Sequence, residues 1–465
     1  MLYKDLPLDN LQALANARVP VMHMISLKDK IVPPEENTFK LINRYLRLGG
    51  IATVVTCVQE PQALEGHHFT IETPRRVADF IKYHSIKKSV INASNYHELR
   101  GGLMNSQLTF EREKKGRVAF LGGSITYNHG WRDSICDYLQ NRFPETEFEF
   151  IEAGIPSMGT TPAAFRLERD VLSKGKIDLL FEEAAVNDGG NGRSDTEQIR
   201  AMEGIVRHLR QVNPSVDIVM MHFVDPAKMK DYNKGLEPQV IVNHNKVADH
   251  YQIPYINLAK EVTDRINNGE FTWADDFKNL HPSPFGQGVY ARSMLQFLDA
   301  AFVKLVNADD KIMAYALPDK LDTHCYNNGT LLSIEKATLK TGWLVDENWK
   351  PKDQAGTRAN YVNVPMLIAR EPGAELSLSF EGRAVGIAIA AGPDAGSIQY
   401  RVDKGDWKAL SLFTNWSQHL HLPWYYTLAA ELEDSKHLLE LRISDEKDAR
   451  SVGNACRIRY FYCNP

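Results

Sequence analysis

A chain of 465 residues is too long for one compact core and implies two or three domains. Its 43% hydrophobic, 24% charged and 9% aromatic residues are those of a globular protein, and a formal net charge of −5 offers no domain-wide basic face for nucleic acid. No apolar run approaches the roughly 20 residues that span a bilayer, so no membrane partner is expected.

Cys57, Cys136, Cys325, Cys456 and Cys463 are odd in number and free of CxxC spacing, which argues against a disulfide framework or a zinc site; Cys456 with Cys463 is the one pair to check. The opening MLYKDLPLDN has no apolar stretch of signal-peptide length. Taken alone that places the chain in the cytoplasm, and in the periplasm or outside the cell if a leader has been removed.

Along the chain, residues 1–90 read strand, helix, strand, helix. Residues 19–26 form an apolar run, 38–48 carry apolar residues at helical spacing, 51–58 are rich in β-branched residues, and 74–83 resume helical periodicity. From about residue 105 to 306 short apolar strands (117–121, 148–153, 177–186, 216–223 and 254–258) alternate with amphipathic helices (131–143, 162–173, 196–212 and 238–251), and a last helix is expected over 284–306. Such alternation predicts a parallel sheet with helices on both faces, an α/β three-layer domain. Beyond residue 307 the period drops to two, at 375–380, 384–390, 397–402 and 437–443, with turn signals between and a final strand at 456–463. That pattern predicts an antiparallel β-sandwich. The expected division is therefore 1–90, 91–306 and 307–465.

The first chemical signal is Arg117-Val-Ala-Phe-Leu-Gly-Gly-Ser124-Ile-Thr, a buried strand running into a glycine pair and a serine. A parallel sheet puts such a loop at its carboxyl edge, where ligands bind; a serine capping the next helix would read the same way. Three later segments join it: Ala153-Gly-Ile-Pro-Ser-Met-Gly159-Thr-Thr, Ala185-Val-Asn187-Asp188 and Leu280-His281-Pro282-Ser-Pro-Phe-Gly286. In this order the four blocks resemble the SGNH (GDSL-like) hydrolase family over about residues 105–306, with Gly123 where the family usually has aspartate and Ala185 where it has glycine.

The resemblance implies a flavodoxin-like sheet and a serine esterase. Ser124 is the nucleophile and His281 the general base that takes its proton and returns it to the leaving alcohol. The backbone N–H groups of Ser124 and Gly159 and the amide of Asn187 would form the oxyanion hole, each worth about 3 kcal/mol of barrier. The family places its acid three residues before the histidine, a position held here by Lys278. Asp276 is the expected substitute, with Asp275 as alternative; a backbone carbonyl or Asn279 orienting the ring would leave a Ser-His dyad. His129, His208, His222, His244 and His250 show no metal-binding spacing, and no metal or organic cofactor is implied. The buried pair Glu182-Glu183 requires a polar partner such as Arg166 and is read as structural.

The flanking segments carry two further resemblances. Ser26-Leu-Lys-Asp29 and Gly66-His67-His68 resemble the acid and histidine loops of an α/β-hydrolase, but no Gly-x-Ser-x-Gly elbow occurs, so 1–90 is a partial segment without its nucleophile. So small a core is expected to pack against the rest of the chain or a second protomer, which leaves a homo-oligomer open. The C-terminal part resembles the jelly-roll-like accessory β-domains of carbohydrate-active esterases. Its aromatic run from Trp416 to Tyr426 is read mainly as core and inter-domain contact, with a sugar platform as the alternative. The expected substrate is an acetylated carbohydrate or polysaccharide. A lipid or thioester acylhydrolase, with a long apolar groove beside Ser124, and a glycan-binding protein whose esterase site has decayed are the alternatives.

Overall fold

The computed structural model describes residues 11–57, 67, 71, 74–85, 90–302 and 305–465. The chain divides into two compact units, residues 1–90 and 91–465. Among the described residues no helix is long and apolar enough to cross a membrane.

In the first unit helix α1 (Leu11–Asn16) precedes strand β1 (Val21–Ile25); helix α2 (Thr38–Arg47) then leads to strand β2 (Ala52–Thr56), and helix α3 (Pro74–Ser85) follows. The strands are parallel, Val21 opposite Ala52, as a helical crossover requires. Leu11, Ala15 and Tyr45 form the small apolar centre. After β1, Asp29 accepts hydrogen bonds from the backbone N–H groups of Ile31 and Val32, at 3.0 and 2.8 Å, and lies 2.9 Å from Nδ1 of His67. The hydrogen bond from the Val32 N–H, followed by those from His67 and the Ile31 N–H, holds its carboxyl below the usual carboxylate range. Gly66 and His68, the rest of the expected histidine loop, and Val58, the end of the expected strand, lie outside the described residues.

The second unit opens with strand β3 (His97–Glu98), helix α4 (Met104–Leu108), strand β4 (Lys115–Gly122), helices α5 (Ser124–Tyr127) and α6 (Trp131–Arg142), and strand β5 (Glu147–Gly154). Helix α7 (Thr160–Asp170), strand β6 (Leu179–Glu183) and helices α8 (Ala185–Gly190) and α9 (Asp195–Val212) follow. Then come strand β7 (Asp217–Met221), helices α10 (Pro226–Tyr232) and α11 (Gln239–Tyr251), strand β8 (Tyr255–Ile256) and helices α12 (Leu258–Asn267) and α13 (Pro284–Ala301).

The six strands order as β3-β8-β7-β6-β4-β5, parallel except for the β3–β8 pair. Alternation along β4 sends Ala119 and Leu121 into one core with Phe165 and Ile205, and Val118 and Phe120 into the other with Trp131 and Tyr290. The chain leaves β4 for β5 on one side and returns to β6 on the other. The carboxyl end of β4 is therefore the switch point at which a crevice opens. Two elements end earlier than the apolar pattern suggests. The run 177–186 is a strand only to Glu183, since Ala185 already opens α8, and α13 stops at Ala301.

The remaining strands are β9 (Thr330–Leu332), β10 (Ala337–Thr341), β11 (Leu344–Trp349), β12 (Val364–Ala369), β13 (Glu375–Glu381), β14 (Val385–Ala391), β15 (Ser397–Val402), β16 (Lys408–Ser411), β17 (Leu422–Ala429), β18 (Lys436–Ile443) and β19 (Cys456–Cys463). They form two antiparallel sheets, β10-β13-β18-β15-β16 and β11-β12-β19-β14-β17, with β9 on β19. Leu376, Leu378, Ile387, Ile389, Leu439 and Phe461 fill the space between them. The second sheet is buried on its other face as well. Ala388, Tyr425 and Tyr462 join the core of Phe165 and Ile205, and the rings of Phe165 and Tyr462 lie 4.2 Å apart. Cys456 and Cys463 stand at opposite ends of β19 as buried free thiols.

Candidate active site

Ser124 opens α5 immediately beyond the Gly122-Gly123 end of β4, and its Oγ lies 2.7 Å from Nε2 of His281. The histidine comes from the loop between a turn at Trp273–Phe277 and α13. Buried Phe277 anchors that loop, its carbonyl accepting from the Ser283 N–H at 2.9 Å, while Ser283 caps α13 and Pro284 occupies its first turn. The backbone N–H of His281 donates to Oδ1 of Asn279 at 2.8 Å. Desolvation, and after it the Arg358 guanidinium, hold the imidazole below its usual pKa, which favours the neutral ring a general base needs.

Asn187 lies in the first turn of α8 and faces the nucleophile's loop: a Cβ on Gly123 would stand 2.0 Å from its Oδ1. Its side-chain amide has no hydrogen-bond partner among the described residues, nor have the backbone N–H groups of Ser124 and Gly159. Ser124, Asn187 and His281 line one cleft, together with Ser157. Gly159 is the residue preceding α7.

What the sequence reading left without a role is Asp188. Completely buried, it accepts from the backbone N–H of Thr160 at 2.9 Å, from the Thr160 hydroxyl at 2.7 Å and lies 3.0 Å from Nε2 of His244. It therefore caps α7 and fixes the loop carrying Gly159, and a Cβ on Gly159 would strike its Oδ1 at 2.1 Å. The signal was present in the Asn187-Asp188 block, but the partners lie 28 and 56 residues away.

The structure does not bring Asp276 to His281. Its Oδ2 accepts from the backbone N–H and hydroxyl of Thr272, at 2.7 and 3.2 Å, closing the turn in which both sit. Asp275 likewise faces the Thr272 hydroxyl, and Nδ1 of His281 has no hydrogen-bond partner among the described residues. Lys278, at the family's acid position, adopts φ +82° and ψ −64°, an unfavourable conformation for a residue with a side chain. What is present is a Ser-His pair.

The cleft, about 550 Å³, is completed from the sandwich: Arg358, Trp416, Leu420 and Leu422 share it with Ser124 and His281. This loop is fixed by a bridge between Gly356 and Leu420 and by His421, whose Nε2 lies 2.9 Å from Asp353. The aromatic run divides accordingly. Tyr425 is buried and Arg193 lies over the Trp424 ring, as core and interface residues, whereas Trp416 is 53% exposed at the cleft.

Beneath the site both Glu182 and Glu183 are buried. Burial pushes Glu183 up to about 7 despite nearby Lys228 and a hydrogen bond from the Val186 N–H. Glu182 has no hydrogen-bond partner, and burial raises it well above the usual range, with Arg166 as its nearest compensating charge. The expected Arg166 partnership is thus electrostatic only, for Arg166 itself donates to Asp170 and to the Gly122 carbonyl. Among the described residues no group of three His, Cys, Asp or Glu side chains is placed to hold a metal ion.

Residues 120–289 match the family model of GDSL-like lipases and acylhydrolases. Two crystal structures of a two-domain esterase (CEX) active on acetylated mannans are similar in fold. The one co-crystallised with mannopentaose has a TM-score of 0.65 at 21% identity, covering 80% of this chain and 98% of that one. The other has a TM-score of 0.63 at 19% identity, covering 79% and 98%. A catalytic mutant of an acetylxylan esterase from Geobacillus stearothermophilus matches at 18% identity over 39% of this chain and 94% of that one, with a TM-score of 0.35. No curated protein matches the chain.

Proposed function

We propose, from residues 120–289 matching the GDSL-like lipase/acylhydrolase family, that this protein is a serine esterase removing acetyl groups from a carbohydrate. The observation that carries the reading is the 2.7 Å contact between Ser124 Oγ and His281 Nε2, set beside three uncommitted donors. The carbohydrate is supported by Trp416, an exposed ring at the cleft able to stack on a sugar face, and by the fold shared with an esterase active on acetylated mannans.

In the first half-reaction Ser124 Oγ attacks the acetyl carbonyl carbon while its proton passes to His281 Nε2. The resulting oxyanion is received by the N–H groups of Ser124 and Gly159 and the Asn187 amide. Collapse breaks the bond to the sugar oxygen, which takes the proton from His281. Water then attacks the acetyl-serine, giving its proton to His281, and the step reverses to free acetate and the serine. His281 works here as one half of a dyad, its loop held by Ser283 and Asn279.

Hydrolysis of p-nitrophenyl acetate by the purified chain, with Ser124→Ala and His281→Ala alongside, tests the reading. Both variants should lose at least about a hundredfold in rate. Equal activity in wild type and Ser124→Ala would move any esterase elsewhere in the chain. An inert wild type that still binds glycans would make the protein a binding module.

A further inference from the structure

Three cationic side chains line the cleft, and they differ in one respect. Arg193 is committed to Glu197 and to the Tyr425 carbonyl, and Lys228 to Asp225. Arg358 makes no side-chain hydrogen bond or ion pair among the described residues, and its Nε is buried without an acceptor. The cleft's carboxylates do not supply one. Asp188 is held by Thr160 and His244, Asp225 by Lys228, and Asp195 accepts from Asn243. Asp231, on α10, makes no ion pair with it.

An unpaired guanidinium beside the general base has a chemical consequence. Attack by Ser124 converts His281 to an imidazolium, and a neighbouring cation opposes that charge. An anion bound to Arg358 would remove the opposition, and it would arrive with the substrate. Arg358 is also well placed to read such a group, because its loop is pinned by the Gly356–Leu420 bridge and the Asp353–His421 pair. A guanidinium meets a carboxylate through two parallel hydrogen bonds, which fixes orientation as well as charge.

We propose that Arg358 is a carboxylate-binding subsite, so that the cleft takes acetyl esters carried on chains containing uronic acids. The inference rests on the esterase reading for its acetyl group but not for its ligand. Its test is therefore a binding measurement on a catalytically silent protein, leaving p-nitrophenyl acetate hydrolysis to report separately on the esterase.

Titration calorimetry of the Ser124→Ala chain with tetramers of galacturonic and mannuronic acid, each against its own methyl ester, isolates the carboxylate. At least one free acid should bind about tenfold or more tightly than its ester at low salt, with the difference shrinking as ionic strength rises. In Ser124→Ala/Arg358→Gln the acid should fall to the affinity of the ester, and Arg358→Lys in the same background should keep part of the preference. Unchanged binding of the methyl ester shows that the variants retain the folded cleft. Indifference to the carboxylate in both tetramers, or a preference that survives Arg358→Gln, overturns the proposal.

Discussion

Oδ1 of Asn187 occupies space that a Cβ on Gly123 would need, the two atoms falling 2.0 Å apart. The residue before the nucleophile and the amide expected to meet the oxyanion thus share one space, which a side chain at position 123 can take only if Asn187 shifts. The aspartate that usually stands in this position of the SGNH pattern would displace Asn187. Gly123→Asp should therefore lower kcat on p-nitrophenyl acetate by about a hundredfold or more with KM changed less than about threefold, as loss of one oxyanion donor does. Circular dichroism should show an intact fold. Full activity in Gly123→Asp would mean that position 123 does not set the placement of Asn187.

Asp276 closes a turn with Thr272 and should be dispensable for the chemistry. Asp276→Asn is expected to cost no more than about fivefold in kcat/KM, against the roughly ten-thousandfold loss seen when the acid of a catalytic triad is neutralised. Steady-state kinetics decide between the two, and a loss of about a thousandfold would restore Asp276 as the acid through a loop closure on substrate binding.

Asp188 should act through position rather than contact. Asparagine keeps one acceptor oxygen but turns the other into an NH2 that faces buried groups now bonded to Asp188, so Asp188→Asn should cost about 3 kcal/mol in a urea denaturation curve. The loop bearing Gly159 would loosen as well, lowering kcat in the protein that remains folded. Thr160→Val, which removes only the hydroxyl bond, should cost about 1 kcal/mol. Equal stability of wild type and Asp188→Asn would mean that the Asp188 network does not hold the loop.

Glu183 makes stability depend on pH in a stated direction. Its folded pKa of about 7 lies above the usual 4.5, because burial outweighs Lys228, so the folded protein holds a proton that the unfolded chain releases. The contribution is complete below about pH 4.5 and is lost as pH rises through about 7, amounting to about 3 kcal/mol. Glu183→Gln should flatten that part of the profile. The check is the urea midpoint of both proteins from pH 5 to 8; parallel profiles would place the titration elsewhere.

Much of this site was legible because its residues come from short blocks tied to strand ends. Ser124, Asn187 and His281 were each flagged by their neighbours, and the alternation of apolar runs gave β4 to within two residues at either end. The strand before Asn187 was drawn too long, since Ala184, Ala185 and Val186 are equally apolar at the start of a buried helix. The expectation for the acid could not rest on the family spacing, which falls on Lys278, a residue that turns the chain through positive φ, and the substitute Asp276 bonds Thr272 instead of His281. Trp416 was visible only as the first ring of an aromatic run, with nothing to tie it to Ser124, and Arg358 carried no signal at all. They lie in another fold, and only the packing of β14, β17 and β19 on α7 and α9 brings them to Ser124.

That packing also bears on how the molecule can be handled. Because Phe165 and Ile205 share one core with Ala388, Tyr425 and Tyr462, the sandwich is not a cassette that can be trimmed off or grafted onto another esterase. A fragment cut near residue 306 would present that apolar face to water, and would lose one wall of its own cleft with it. Residues 91–465 form one compact unit and are expected to unfold in a single transition, and recombination between relatives is better tolerated at residue 90 than between the two sheets.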